Sequence, residues 1–205
     1  MKTSVVTPRV PTLVERKQES VREAIGDQAA RLFMEQGFQT TTIDDIAKAS
    51  GIGRRTFFRY FETKEDVVLW KFDQFARRVV TLIETRPARE TALLALQRAL
   101  TEASEFYNQE PSVTRMVLKL IEGTPDLYAH ALRQHDRWKG WFAAALRKRT
   151  RASARSVLPE VAASAGLEAA TIATRRWAAT PGADLSELMA SCFSALRKVA
   201  ATAKG

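Results

Sequence analysis

Residues 51–61 read GIGRRTFFRYF: three arginines among four aromatics, with no carboxylate between Asp45 and Glu62. Guanidiniums without nearby acids suit anions. Two of them, Arg55 and Arg59, stand four residues apart, so a helix places them on one side. Phe57 and Phe61, also four apart, take the opposite side and face inward. A helix laid in the DNA major groove meets base edges with such an outward face, and arginine to guanine is the commonest specific contact. Gly53 and Arg54 fall at the helix start, where free N–H groups and the dipole favour a phosphate. Thr56 and Tyr60 offer hydroxyls to a nucleic-acid backbone. Phe58 offers only apolar contact, to a thymine methyl or a sugar. Lys64 stands in the first turn of the next helix, where a cation opposes the dipole. A phosphate partner would remove that conflict, and an ordinary surface lysine is the alternative.

The elements that must hold these groups are legible around them. A helix over 19–36 carries Val21, Ala24, Ile25, Ala29, Leu32 and Phe33 on one face, and Gly37 ends it. Thr42 with Asp45 is an N-cap pair opening a short helix that buries Ile43, Ile46 and Ala47. Ser50-Gly51 breaks it, Ile52 plugs the corner, and a second short helix starts after Gly53. Two short helices joined by a tight glycine turn read as a helix-turn-helix. Thr63 and Asp66 repeat the cap pattern and open a long helix that Pro87 stops.

Composition bounds the rest. Of 205 residues 45% are hydrophobic, Ala and Leu dominate, and glycine is sparse, which predicts an all-α protein. The single cysteine, Cys192, excludes an internal disulfide framework. No segment reads as a signal peptide or a membrane span, so a cytoplasmic location is expected. The net charge of +9 points to an anionic partner, but residues 1–70 are nearly neutral and most of the excess lies beyond them. Residues 1–18 read as a flexible basic arm, 19–66 as the DNA-binding domain and 67–205 as a second helical domain. In the latter, helices are expected over 89–109, 112–122, 125–149, 159–179 and 184–201.

The run TTTIDDIAKASGIGRRTFFRYFETKEDVV resembles the DNA-binding domain of TetR-family transcriptional regulators. The family pattern is matched by Thr42, Ile43, Ile46, Ala47, Gly51, Thr56, Phe57, Tyr60, Phe61, Lys64 and Glu65. The resemblance implies a DNA face made by Thr42, Gly53, Arg54, Arg55, Thr56, Phe58, Arg59, Tyr60 and Lys64. Three positions depart from the family: Gly53 for Ser or Thr, Arg55 for a small residue, and Phe58 for Tyr. The resemblance further implies a repressor that binds a palindromic operator as a homodimer, with no enzymatic activity, catalytic residue, metal or cofactor. Its last two long helices would pair across the dimer, and its middle helices would enclose a small-molecule effector.

Ala162, Ala165, Gly166, Ala169, Ala170 and Ala173 form a small-residue seam that suits either that dimer contact or a crossing within the chain. The C-terminal half resembles the subgroup of TetR regulators that includes those of mycofactocin genes, which implies an acyl-CoA-like effector. Its wall would be Phe75, Phe106, Met116, Leu120, Trp138 and Phe142, with ordinary core as the plainer reading. Arg147, Lys148, Arg149, Arg151 and Arg155 meet CoA phosphates or, as charge runs more often do, simply end a solvated helix. His130 and His135 are five apart and cannot share a metal from one helix face. Cys192 reads as core. The runner-up function, a helical acyl-binding protein, leaves the arginine helix without a purpose.

Overall fold

The computed structural model describes residues 12–108 and 111–202, so most of the basic arm read at the N-terminus lies outside the described residues. Every regular element described is a helix: α1 (Leu13–Gln36), α2 (Ile43–Ala49), α3 (Arg54–Tyr60), α4 (Lys64–Thr85), α5 (Ala92–Ala103), a 3-10 turn (Ser104–Asn108), α6 (Pro111–Gly123), α7 (Pro125–Thr150), α8 (Leu158–Ala179) and α9 (Leu185–Thr202). The all-α fold class read from the sequence is the observed one. The chain divides into two compact units, Met1–Phe72 and Asp73–Gly205, and α4 belongs to both. Among the described residues no helix is long and apolar enough to cross a membrane.

Two helices depart from the expected bounds. Helix α1 begins at Leu13, so residues 13–18, assigned above to the arm, are helical. All but Val14 are good helix formers, and the Arg16 amide already donates to the Thr12 carbonyl at 2.9 Å. The helix expected over 89–109 begins only at Ala92, after the Thr91 cap, ends as an α-helix at Ala103 and continues as a 3-10 turn. There the Ser104 hydroxyl donates back to the Thr101 carbonyl at 2.6 Å, competing with the regular ladder.

In the first unit Ile25, Ala29, Ile46, Ala47, Phe57, Phe61 and Val67 make one buried cluster, with Ile43 and Ile52 packed against it. Gly51 turns the chain between α2 and α3 at φ 66°, a backbone region that L side chains rarely adopt. No neighbour crowds its Cβ position, so conformation rather than space calls for glycine. Capping boxes open α2 and α4. Thr42 accepts from the Asp45 amide at 3.2 Å, and Asp45 accepts from the Thr42 amide at 2.9 Å. Thr63 and Asp66 repeat this at 3.1 and 3.0 Å. The Thr42 hydrogen bonds hold the Asp45 carboxyl below its usual range.

In the second unit the small-residue seam of α8 serves a crossing within the chain. Ala162, Gly166, Ala169, Ala170 and Ala173 are buried, and a Cβ on Gly166 would overlap the wholly buried Leu96 of α5. Glu90, only 7% exposed, ties the start of this unit together. It accepts from Arg86 Nε at 3.0 Å and Nη2 at 2.8 Å, and also from Arg98. The Arg86 hydrogen bonds above all, helped by Arg98, hold its carboxyl down to about 2 against an ordinary value of 4.5.

A group whose folded pKa is depressed stabilises the fold fully above its unfolded pKa and ceases to do so as pH falls through the folded one. Glu90→Gln should therefore be less stable than wild type at neutral pH. The gap between their melting temperatures should narrow as pH falls from 4.5 to about 2. Parallel curves across that window would show that Glu90 does not carry this acid sensitivity.

Candidate nucleic-acid interface

Helix α3 is two turns long, and burial sets its orientation. Phe57 is 0% exposed, Phe61 is buried beside it at 5.9 Å between ring centroids, and the two lie on the core side. Arg54, Arg55, Phe58 and Arg59 are exposed in consequence, while Thr56 and Tyr60 are half-buried. Phe58, 44% exposed, meets the Phe57 ring edge-on at 5.7 Å and leaves an apolar surface outward. Gly53 caps the helix with extended backbone and no side-chain hydrogen bond.

The arginines are held differently. Arg54 Nη1 lies 2.8 Å from Asp44 Oδ2 of α2, and its guanidinium sits 5.4 Å from the centre of the Phe58 ring. Asp44 is thus an acid near the cluster, ten residues upstream, that the local sequence window did not reveal. Arg59 lies 5.1 Å from the Tyr60 ring centre and donates to its hydroxyl at 3.3 Å. Among the described residues Arg55 has no acid partner.

Lys64 stands, as expected, in the first turn of α4. Its ammonium donates to the carbonyls of Phe38 at 2.8 Å, Thr41 at 3.2 Å and Gln39 at 3.3 Å, and lies 4.5 Å from the Phe38 ring centre. An ammonium has three donors, and all three are used. The conflict with the dipole of α4 is answered inside the chain by carbonyl oxygens, so no phosphate is needed to explain it. Thr42 likewise spends its hydroxyl on Asp45, at 2.7 Å.

The residues expected to form an effector wall are only partly gathered. Phe75, Trp138 and Phe142 are buried, and Phe75 and Trp138 approach to 6.5 Å between centroids. Leu120 is half-buried, and Met116 is exposed on α6. The Phe106 side chain lies outside the described residues. Sequence reasoning missed the partners that extend this group. Tyr107 meets Phe75 in a tilted contact at 5.2 Å and Trp177 edge-on at 6.2 Å, while the Trp138 indole N–H donates to Asp73 at 2.7 Å. Helical spacing marks each of these rings as buried but does not say which rings meet.

The basic run after α7 is neither a solvated helix end throughout nor a free phosphate site. Arg147 holds the carbonyls of Ser153 and Ser156 and the Glu160 carboxylate. Arg149 holds the carbonyls of Pro87, Glu90 and Thr91, and Lys148 pairs with Glu84 at 3.0 Å. Arg151 adopts the left-handed conformation that ends α7. It and Arg155 are exposed.

Residues 25–69 match the family profile of bacterial regulatory proteins of the tetR family, and residues 90–201 match that of the MftR C-terminal domain. The HTH-type transcriptional regulator TcmR of Streptomyces glaucescens is 32% identical over 67% of this chain. The chain spans 63% of that relative's length, less than two thirds. MftR of Mycobacterium tuberculosis, named for mycofactocin biosynthesis, is 28% identical over 88% of this chain and 91% of its own length. The crystal structure of Thermus thermophilus FadR, a repressor in complex with lauroyl-CoA, aligns with a TM-score of 0.54 at 26% identity. That alignment covers 85% of this chain and 92% of FadR.

The separate postures of the cations predict separate phenotypes. Arg55→Ala and Arg59→Ala should weaken discrimination at individual base pairs by about 1–3 kcal/mol. Lys64→Ala should instead lower the stability of the first unit by about 1–3 kcal/mol, because three carbonyls lose a charged donor. Binding to single-base operator variants, alongside thermal melts, separates the two. Undiminished discrimination in both arginine variants would remove α3 from base reading.

Proposed function

This chain belongs to the TetR family of bacterial regulatory proteins, and we propose that it is a sequence-specific repressor released from its operator by a small apolar effector. The family is one of DNA-binding transcriptional regulators, not of enzymes. One observation carries the reading of the DNA face: the burial of Phe57 turns Arg55 and Arg59 outward on α3, with no carboxylate partner for Arg55 among the described residues. In this reading α3 enters the major groove, Arg55 and Arg59 read base edges, and Phe58 meets a thymine methyl or a sugar. Arg54, steadied by Asp44 and the Phe58 ring, contacts the backbone. Gly53, Thr56 and Tyr60 flank that contact, while Thr42 and Lys64 hold the frame.

The operator is palindromic and the repressor a homodimer. Support comes from the outer sides of the last two helices, where Leu158, Val161 and Ile172 of α8 and Val199 of α9 are exposed apolar groups. A second subunit would cover them. The buried rings of Phe75 and Trp138, and the lauroyl-CoA bound by the FadR relative, favour an effector with a long apolar part, an acyl-CoA being the first to test. Helix α4 supplies the route for coupling, since the chain of the first unit continues through it into the second. DNA fixes the spacing of two heads. An effector that prefers another spacing lowers DNA affinity by the factor by which DNA lowers its own.

Titrating acyl-CoAs of increasing chain length against the protein–operator complex tests this reading. Release should strengthen with chain length, and Trp138→Ala should blunt it. An acyl-CoA that binds equally well with and without operator would refute the coupling. A monomer that protects a single asymmetric half-site would refute the dimer.

A further inference from the structure

Arg115 of α6 stands apart from the cations already described. It is half-buried, and its guanidinium lies 4.4 Å from the centre of the buried Trp177 ring of α8. Its Nε is shut off from solvent and donates to no acceptor among the described residues. The ring face attracts the positive charge but offers no lone pair to an N–H. A buried donor without an acceptor is costly, and in native structures it calls for a partner.

What lies beside Arg115 suggests the partner's chemistry. Trp177 meets Tyr107 at 6.2 Å, Tyr107 meets Phe75 at 5.2 Å, and Phe75 meets Trp138 at 6.5 Å. All four rings are buried. Burial raises the Tyr107 phenol well above its usual range, so it stays neutral and adds no competing charge. At the far end the Trp138 N–H is already engaged by Asp73 at 2.7 Å. The run is therefore aromatic and uncharged along its length, with an incompletely paired cation at one end and an acid at the other. Of the five cations that the sequence offered for an anion, Arg147, Lys148 and Arg149 hold the chain's own oxygens, Arg149 leaving only its Nε without an acceptor among the described residues, and Arg151 and Arg155 are exposed.

We propose that Arg115 anchors the anionic end of an amphiphilic effector whose apolar part lies along Trp177, Tyr107 and Phe75. The inference rests on the effector-released reading above and narrows it. The effector must carry a carboxylate or phosphate group, and a neutral molecule of the same apolar length binds more weakly. A guanidinium presents fork-like donors to either anion, and such charge-assisted pairs are the stronger hydrogen bonds. The anion can be a free carboxylate or the phosphates of a CoA thioester.

Decanoate, decanoyl-CoA and neutral 1-decanol serve as probes, with binding read by calorimetry and operator release followed in parallel. Wild type should bind at least one anionic probe about tenfold or more tightly than decanol. The better of the two anionic probes identifies the source. Arg115→Met should bind anionic and neutral probes alike, and Arg115→Lys should keep part of the preference. Because the readout is a ratio between probes, a general loss of packing in the variant does not imitate the result. A wild type without preference for either anionic probe, or Arg115→Met with its preference intact, overturns the proposal. Binding through Arg115 without operator release leaves this site standing and refutes the release reading. Equal release by decanol and both anions does the reverse.

Discussion

The burial of Phe57 is the constraint on which the reading head depends. A helix of two turns has little stability of its own, so its orientation must come from packing. Phe57 is wholly buried among Ile25, Ala29, Ile46, Ala47, Phe61 and Val67. A ring held there leaves the helix no freedom to rotate, and the arginines at 55 and 59 are turned outward by default. The positive-φ turn at Gly51 sets the angle at which α3 leaves α2. The Lys64 ammonium then pins the start of α4 to the carbonyls after α1. These three contacts together make one preorganised surface, and binding need not pay to order it.

The second unit is built on close approach and on charges satisfied internally. Gly166 lets α8 come down on Leu96 with no room for a methyl group. Glu90 gathers Arg86 and Arg98 through its carboxylate, while its carbonyl takes Arg149. This network removes from the candidate ligand groups most of the basic run that a reading by charge alone would choose. The excess positive charge of this half still favours anions at long range, but a specific site needs donors that the chain has not used. Arg115 meets that requirement because its nearest neighbour is a ring rather than an oxygen.

Much of the reading head was legible because its determinants are local. The cap pairs Thr42/Asp45 and Thr63/Asp66, the glycine turn, and the four-residue spacing of phenylalanines and arginines all act within one helical turn or the next. What was not legible depends on contacts distant in sequence. Asp44 reaches Arg54 across ten residues, Lys64 reaches Phe38 across 26, and Arg149 reaches Pro87 across 62. No window of helical periodicity contains both partners. The effector wall shows the same division. Burial of Phe75, Trp138 and Phe142 follows from spacing, whereas the joining of Phe75 to Trp177 through Tyr107 arises only when α4, α8 and the 3-10 turn meet. The seam on α8 was undecided between two helix contacts until Leu96 was seen beneath it.

The central claim is that the outward face of α3 reads a defined DNA sequence. Affinity selection of random duplexes with the intact protein, followed by sequencing of the bound pool, tests it most directly. The bound pool should be enriched in an inverted repeat whose half-sites contain guanine at the positions facing Arg55 or Arg59, and that guanine preference should be lost when the selection is repeated with Arg55→Ala and Arg59→Ala. Recovery of the same guanines by both variants, or a bound pool with no enriched sequence, would contradict it.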